Sequence, residues 1–206
     1  MFKPILNGNE IIGAYNFQLV FLSYFIAAFA SYTALDLAMR IGESQGKTKK
    51  FWIGGCAFAM GGGIWAMHFT GMLAFELPIA ISYDVRITIF SLLYAIFASG
   101  CAFFYVSQKT NTYTRVLLGG IFMGSGVGTM HYSGMQAMNF SGSMYYKPIY
   151  FVASIFIAIV ASTVALRLII YFESNEQKEN YKYKFFASLI MGLAVSGMHY
   201  TGMNAT

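Results

Sequence analysis

The chain has 206 residues, of which 57% are hydrophobic, 18% aromatic and only 10% charged, and its mean hydropathy is +0.58. A water-soluble domain spends about a quarter of its residues on charge, so this composition excludes an ordinary soluble fold. The net charge of +5 does not indicate nucleic-acid binding, because the placement of the basic residues follows membrane topology instead.

Asn7, Gly8 and Asn9 predict a turn. A first apolar run then covers about 17–39, too long and followed by too many others to be a cleaved signal peptide. Within it Asp36 and Arg40 stand four apart and pair on one helical face at the end of the span. Further apolar runs cover 52–75, 87–107, 116–138, 149–172 and 184–204. Each approaches the roughly 20 residues that cross a bilayer core as a helix. Irregular backbone facing lipid is too costly, and a transmembrane barrel needs short alternating strands. The predicted fold class is therefore all-α: a polytopic transmembrane bundle of six helices. Cys56 and Cys101 lie inside apolar runs and read as small core residues, with no CxxC spacing for zinc or redox exchange. The polar stretch from Glu173 to Lys184 reads as a solvated connection.

Charge sets the orientation. Arg40, Lys47, Lys49 and Lys50 flank the first connection, Lys109 and Arg115 the third, and Arg167, Lys178, Lys182 and Lys184 the fifth. These are ten of the 13 basic residues; Lys3, Arg86 and Lys147 fall on the other side. By the positive-inside rule the odd connections are cytoplasmic and the N-terminus is outside in a multi-pass membrane protein.

The chain repeats itself three times. MGGGIWAMHFTGMLA from Met60, MGSGVGTMHYSGMQA from Met123 and MGLAVSGMHYTGMNA from Met191 align without gaps. His68, His131 and His199 stand 63 and 68 residues apart. A weaker pattern precedes each copy: Ala30-Ser31-x-x-Ala34, Ala98-Ser99-x-x-Ala102 and Ala161-Ser162-x-x-Ala165. The unit is a helical hairpin, over about 17–75, 87–138 and 149–205, within one domain spanning 1–206. The odd helix of each unit carries a small-residue packing face, since small residues let membrane helices approach closely. Even helices run outward in this topology, so all three histidines fall at one depth near the outer face and can converge.

On a helix turning 100° per residue, each histidine shares its face with glycines seven residues before and three after, and with a methionine four after. These are Gly61, Gly124 and Gly192; Gly71, Gly134 and Gly202; and Met72, Met135 and Met203. The glycines let neighbouring helices come close enough for three imidazoles to meet. Polar groups inside a membrane mark functional sites, and these are the only histidines in the chain. Metal ligation is therefore preferred over structural hydrogen bonding. The candidate ligands are His68, His131 and His199 with Met72, Met135 and Met203. Met67, Met130 and Met198 are kept in the set, although they point about 100° away in line with Met60, Met123 and Met191, where filling gaps between helices is their ordinary role. A histidine and methionine site without a recurring acid ranks copper first, haem iron second and zinc third; Glu76 has no counterpart in the other repeats. Thr70, Ser133 and Thr201 bond a carbonyl of their own helix. The aromatics Phe69, Tyr132 and Tyr200 either hold an imidazole or anchor the interface, the anchor ranking slightly higher.

At Met198-His199-Tyr200-Thr201, Met130-His131-Tyr132-Ser133 and Met67-His68-Phe69-Thr70 the sequence resembles the MHYT domain family of bacterial membrane sensors. The resemblance covers nearly the whole chain. It implies a sensory input domain that binds copper and responds to a diatomic gas (oxygen, carbon monoxide or nitric oxide) or to redox state. It also implies coupling to a cytoplasmic signalling domain such as a cyclic-di-GMP enzyme. A homodimer is compatible with this reading. Phe69 departs from the pattern, so the tyrosine hydroxyl is not required in every copy. The chain stops at Thr206, whereas the family typically has a seventh helix, which is expected to lie beyond this sequence. No catalytic nucleotide-binding motif is present, so the chain is expected not to be an enzyme. The alternatives are a copper carrier or channel, which needs ligands spaced along a path across the bilayer, and a haem-binding membrane protein.

Overall fold

The computed structural model describes residues 5–6, 9–10, 13–108, 113–141, 144–174 and 181–206. Lys3, Lys109 and Lys178, the Asn7-Gly8 part of the expected turn, and residues 175–180 of the expected solvated connection lie outside the described residues. Among the described residues six helices form: α1 Phe17–Glu43, α2 Gly46–Leu73, α3 Val85–Val106, α4 Tyr113–Gln136, α5 Pro148–Ser174 and α6 Tyr181–Met203. The all-α bundle expected from the sequence is thus observed. Among the described residues the strands are two-residue antiparallel pairs, β1 Ile5–Leu6 with β2 Asn9–Glu10, β3 Ala14–Tyr15 with β4 Phe75–Glu76, and β5 Ser82–Tyr83 with β6 Met138–Asn139.

Local chemistry sets the helix ends. Asn16 caps α1, its side-chain oxygen accepting from the amides of Gln18 and Leu19, and Asp84 caps α3 by accepting from Arg86 and Ile87. Gly46 has φ +58°, a left-handed conformation that glycine adopts without a Cβ penalty, and this allows α2 to follow α1 after only Ser44 and Gln45. Helices α1, α3 and α5 are long and apolar enough to cross a membrane by composition alone. The apolar runs expected at 52–75, 116–138 and 184–204 are helical but fall short of that mark, because glycine, serine and histidine dilute them. Those residues face inward: Met60, Gly61, Ile64, Met67 and His68 of α2 are all buried, as are Met123, Gly124, Met130 and His131 of α4.

Each helix packs on its chain neighbours and α6 closes on α1, so the hairpins form a ring. Two kinds of contact repeat around it. Within each hairpin, the residue just before the odd helix donates its amide to the buried alanine that ends the motif: Asn16 to Ala74 at 2.8 Å, Asp84 to Ala137 at 2.8 Å and Lys147 to Ala205 at 2.5 Å. Between hairpins, a glycine of each even helix receives the backbone of the next odd helix. A Cβ at Gly61 would collide with Ala95 and Ile96, at Gly124 with Ala158 and Ile159, and at Gly192 with Ala28. The small-residue patches pack as expected, Ala30 lying against Gly63 and Ala98 against Gly126.

One part of the fifth connection departs from expectation. Lys184 is not solvated: α6 begins at Tyr181, and Lys184 is 2% exposed, bonded to Asp36 Oδ1 at 2.9 Å beside the rings of Tyr32 and Tyr181. Asp36 therefore makes its short contact with Lys184, and Arg40 reaches it only at 4.0 Å. A buried ammonium needs a close partner, and the α1–α6 interface supplies one.

Candidate metal centre

The histidines of α2, α4 and α6 meet at one point. All three are fully buried. Nδ1 of His68 lies 3.1 Å from that of His131 and 3.1 Å from that of His199, and the third pair is 3.3 Å apart. Among the described residues this is the one cluster of three or more histidine, cysteine or carboxylate side chains able to share an ion.

The glycine three residues after each histidine makes the approach possible. A Cβ at Gly134 would overlap Nε2 of His68, one at Gly202 would overlap Nε2 of His131, and one at Gly71 would overlap Nε2 of His199. Each imidazole is thus laid over the glycine of another repeat, in a closed cycle of three. The sequence predicts these glycines as places of close backbone approach; what they receive is an imidazole. Each Nε2 is buried without a hydrogen bond of good geometry, although those of His131 and His199 lie beside the peptides of Gly202 and Gly71.

The triangle has a chemical consequence. A neutral imidazole nitrogen either donates or accepts, and never does both. Among three such nitrogens at least two are of the same kind, so at least one of the three close contacts cannot be a hydrogen bond. A cation held by His68, His131 and His199 would remove the conflict, since each Nδ1 could offer it a lone pair while the ring proton is carried on Nε2. The size also fits. Sides of 3.1 to 3.3 Å place each nitrogen about 1.8 Å from the common centre (side divided by √3), against about 2.0 Å for an imidazole–metal bond.

The methionines divide into two layers. Met67, Met130 and Met198 are buried with Met60, Met123 and Met191 in the main apolar core. Met72, Met135 and Met203 form a separate cluster with Phe75, capped by Tyr15, Leu77, Tyr83, Met138 and Met144. Thioethers therefore flank the histidine layer along the helices on both sides. On the core side a cavity of about 20 Å³ is lined by Met60, Met123, Met191 and Met198 with Ile64 and Val127, enough for one water-sized guest.

The motif aromatics have a role that the sequence reading ranked neither first nor second. The Tyr200 hydroxyl bonds Ser23 of α1 at 2.9 Å, and that of Tyr132 bonds Ser154 of α5 at 2.6 Å. In the first repeat, where Phe69 has no hydroxyl, Trp65 Nε1 donates to Ser91 of α3 at 3.1 Å. Trp65 packs on Phe69, with ring centroids 4.8 Å apart. Each aromatic also sets its edge or face against its own histidine, at 4.9, 4.7 and 4.8 Å for Phe69, Tyr132 and Tyr200. Ser133 bonds the carbonyl of Met130 in its own helix, as expected. Ser23, Ser91 and Ser154 are all completely buried. They stand 68 and 63 residues apart, the same separations as the small-residue patches of the odd helices, and that spacing was the signal available for finding them.

A ring of three membrane hairpins closed around buried histidines defines a membrane-embedded module with a built-in polar centre. Residues 61–119 and 124–178 match the model of the MHYT family, described as a bacterial signalling protein N-terminal repeat. The chain belongs to that family. It is 44% identical over 95% of its length to MucR of Pseudomonas aeruginosa, a bifunctional diguanylate cyclase/cyclic di-GMP phosphodiesterase. It is 41% identical over 93% of its length to NbdA of the same organism, a cyclic di-GMP phosphodiesterase, and 37% identical over 95% to the signaling protein YkoW of Bacillus subtilis. The chain spans about a quarter of these relatives, with 28%, 24% and 24% of their lengths covered. No solved structure matches it.

Proposed function

We propose that this chain is a sensory input module that holds copper at His68, His131 and His199 and reports a diatomic gas or redox state to a signalling output. The observation that carries this reading is the Nδ1 triangle, whose three contacts cannot all be hydrogen bonds. Copper is favoured over zinc because thioethers lie in the layers on either side and, among the described residues, no carboxylate belongs to the histidine cluster. When bound, the metal supplies a redox-active centre to which a small molecule can add as a further ligand.

The protein's own residues do the rest. The glycine cycle holds each imidazole against a second repeat. The Tyr200–Ser23, Tyr132–Ser154 and Trp65–Ser91 bonds tie each even helix to the next odd one. A shift of one imidazole therefore loads two helix interfaces at once, the kind of coupling a two-state helix displacement requires. The basic ends of the hairpins face the cytoplasm of a bacterial inner membrane in this reading, with the N-terminus outside. The output is a cyclic-di-GMP enzyme of the kind that MucR and NbdA are, with catalysis residing outside the quarter of those proteins that this chain resembles.

The test is metal content by mass spectrometry on detergent-purified protein, alongside His68→Ala, His131→Ala and His199→Ala. The expected result is copper that is lost in every variant. Folded protein that takes up no copper would end the metal reading.

A further inference from the structure

A groove of about 960 Å³ opens on the membrane-facing side between α2, α3 and α4, far from the histidines and toward the basic end. Its walls are apolar, including Phe97, Leu118 and Phe122, and Lys50 stands at its edge. The groove exists because the pseudo-threefold pattern is broken here. Counted from the motif histidines, Gly54 on its lining corresponds to Leu117 and Phe185 in the other repeats. Counted from the buried serines, Gly100 corresponds to Tyr32 and Thr163. At the corresponding α1–α6 interface, Tyr32 lies beside buried Lys184; at α4–α5, Thr163 presses on Gly120. Beside α2 and α3 the space is open at Gly54, where a Cβ would meet nothing within 4 Å, whereas a Cβ at Gly100 would stand 3.3 Å from Ala57.

Charge follows the same asymmetry. On the α1–α6 side Asp36 balances Lys184 and Arg40. None of α2, α3 or α4 carries Asp or Glu. Beside the groove, besides Lys50, Lys49 bonds the carbonyl of Ser107, and the Arg115 guanidinium lies 5.8 Å from the ring of Tyr105, itself a lining residue.

We propose that this groove binds an anionic phospholipid, an acyl chain lying along the apolar wall and the headgroup phosphate meeting Lys50 with Arg115 nearby. An apolar slot open to the bilayer suits a hydrocarbon chain, and a basic rim suits a negative headgroup at the same membrane depth. The assignment goes beyond the metal reading and is independent of it, since no motif histidine or methionine takes part.

The experiment uses the full chain in a neutral detergent, titrated with phosphatidylglycerol or with phosphatidylcholine of identical acyl chains, with bound lipid read by native mass spectrometry. The expected result is retention of phosphatidylglycerol in preference to phosphatidylcholine. Lys50→Ala should reduce that preference about fivefold, the worth of one basic side chain at a membrane surface. Gly54→Leu, which installs the residue type found at Leu117, should abolish retention of both lipids while helicity by circular dichroism stays unchanged. Equal retention of the two lipids, or retention unaffected by Gly54→Leu, overturns the assignment. So does a lipid-free dimer that Gly54→Leu converts to monomer, which would make the groove a contact between two copies.

Discussion

Replacing Gly134 by alanine tests the histidine triangle with a single methyl group. The new Cβ would occupy the position of His68 Nε2. That imidazole has no retreat, because its Nδ1 already lies 3.1 Å from two other rings and the whole group is buried. Overpacking of this kind costs about 1–3 kcal/mol. The control is Gly62→Ala on α2, where a Cβ meets nothing within 4 Å; there alanine should stabilise by about 0.5–1 kcal/mol, the usual gain in a helix interior. The two variants should therefore differ by about 1.5–4 kcal/mol in detergent unfolding followed by circular dichroism. If copper sits in the triangle, Gly134→Ala should also weaken copper affinity about 10–100-fold, as loss of a ligand's support does, whereas Gly62→Ala should leave it unchanged. Gly202→Ala and Gly71→Ala should act alike through His131 and His199. Equal unfolding and equal copper affinity for Gly134→Ala and Gly62→Ala would refute the cyclic packing.

Three further outcomes follow from other contacts. Trp65→Phe should cost about 1 kcal/mol by removing the donor to Ser91, and adding Phe69→Tyr should recover part of it by rebuilding the Tyr132–Ser154 arrangement; no recovery in the double variant would mean that the first repeat is organised differently. Asp36→Asn should destabilise by about 3 kcal/mol, because it strips the partner from the buried Lys184 ammonium, whereas Lys184→Met should cost less; chemical unfolding of the two variants decides the order. Burial pushes the phenols of Tyr15 and Tyr146, both in the cap at the histidine end, up to about 12 from 10, with neighbouring tyrosines adding to the shift. The folded state thus holds these protons longer than the unfolded state does. Their contribution is fully present below pH 10 and is lost as pH rises through about 12. The tyrosinate absorbance that is lost when Tyr15 and Tyr146 are replaced by phenylalanine should belong to the late part of the alkaline titration and coincide with loss of the cap; ionisation of these two phenols near pH 10 with the fold intact would contradict the burial.

Much of the site was legible because a repeated motif constrains depth and direction together. Once Met67-His68, Met130-His131 and Met198-His199 fall at matching places on even helices, convergence follows from topology. The glycines signalled close approach, but period alone could not tell whether backbone or a side chain would fill the space, and the answer differs between Gly61 and Gly71. Trp65 was invisible for another reason. It breaks the repeat, standing where the other copies have Gly128 and Ser196, so a reading built on shared positions passes over the residue that replaces the missing tyrosine hydroxyl. Lys184 was misread because a lysine beside a polar connection normally reaches water, and its partner Asp36 lies 148 residues away on the helix that closes the ring.

The departures from threefold likeness are not spread evenly through the molecule, and their distribution bears on how such a module works. At the histidine end the three repeats obey one rule: a terminal alanine tied to the residue that begins its own hairpin, an imidazole over a glycine, and an aromatic or indole donor on a buried serine. A centre shared by three helices requires that agreement, since each helix must bring its nitrogen to the same point. Toward the basic end the agreement lapses: one interface holds a buried ion pair, another a threonine against glycine, and the third an open groove. Identical packing at both ends would let any motion of the ring share itself equally among three interfaces. Unequal packing makes the three interfaces differ in resistance, and on the proposed function a displacement would meet the fewest side chains at the groove between α2, α3 and α4. If the module senses as proposed, a displacement begun at the symmetric end would thereby be given a direction at the other.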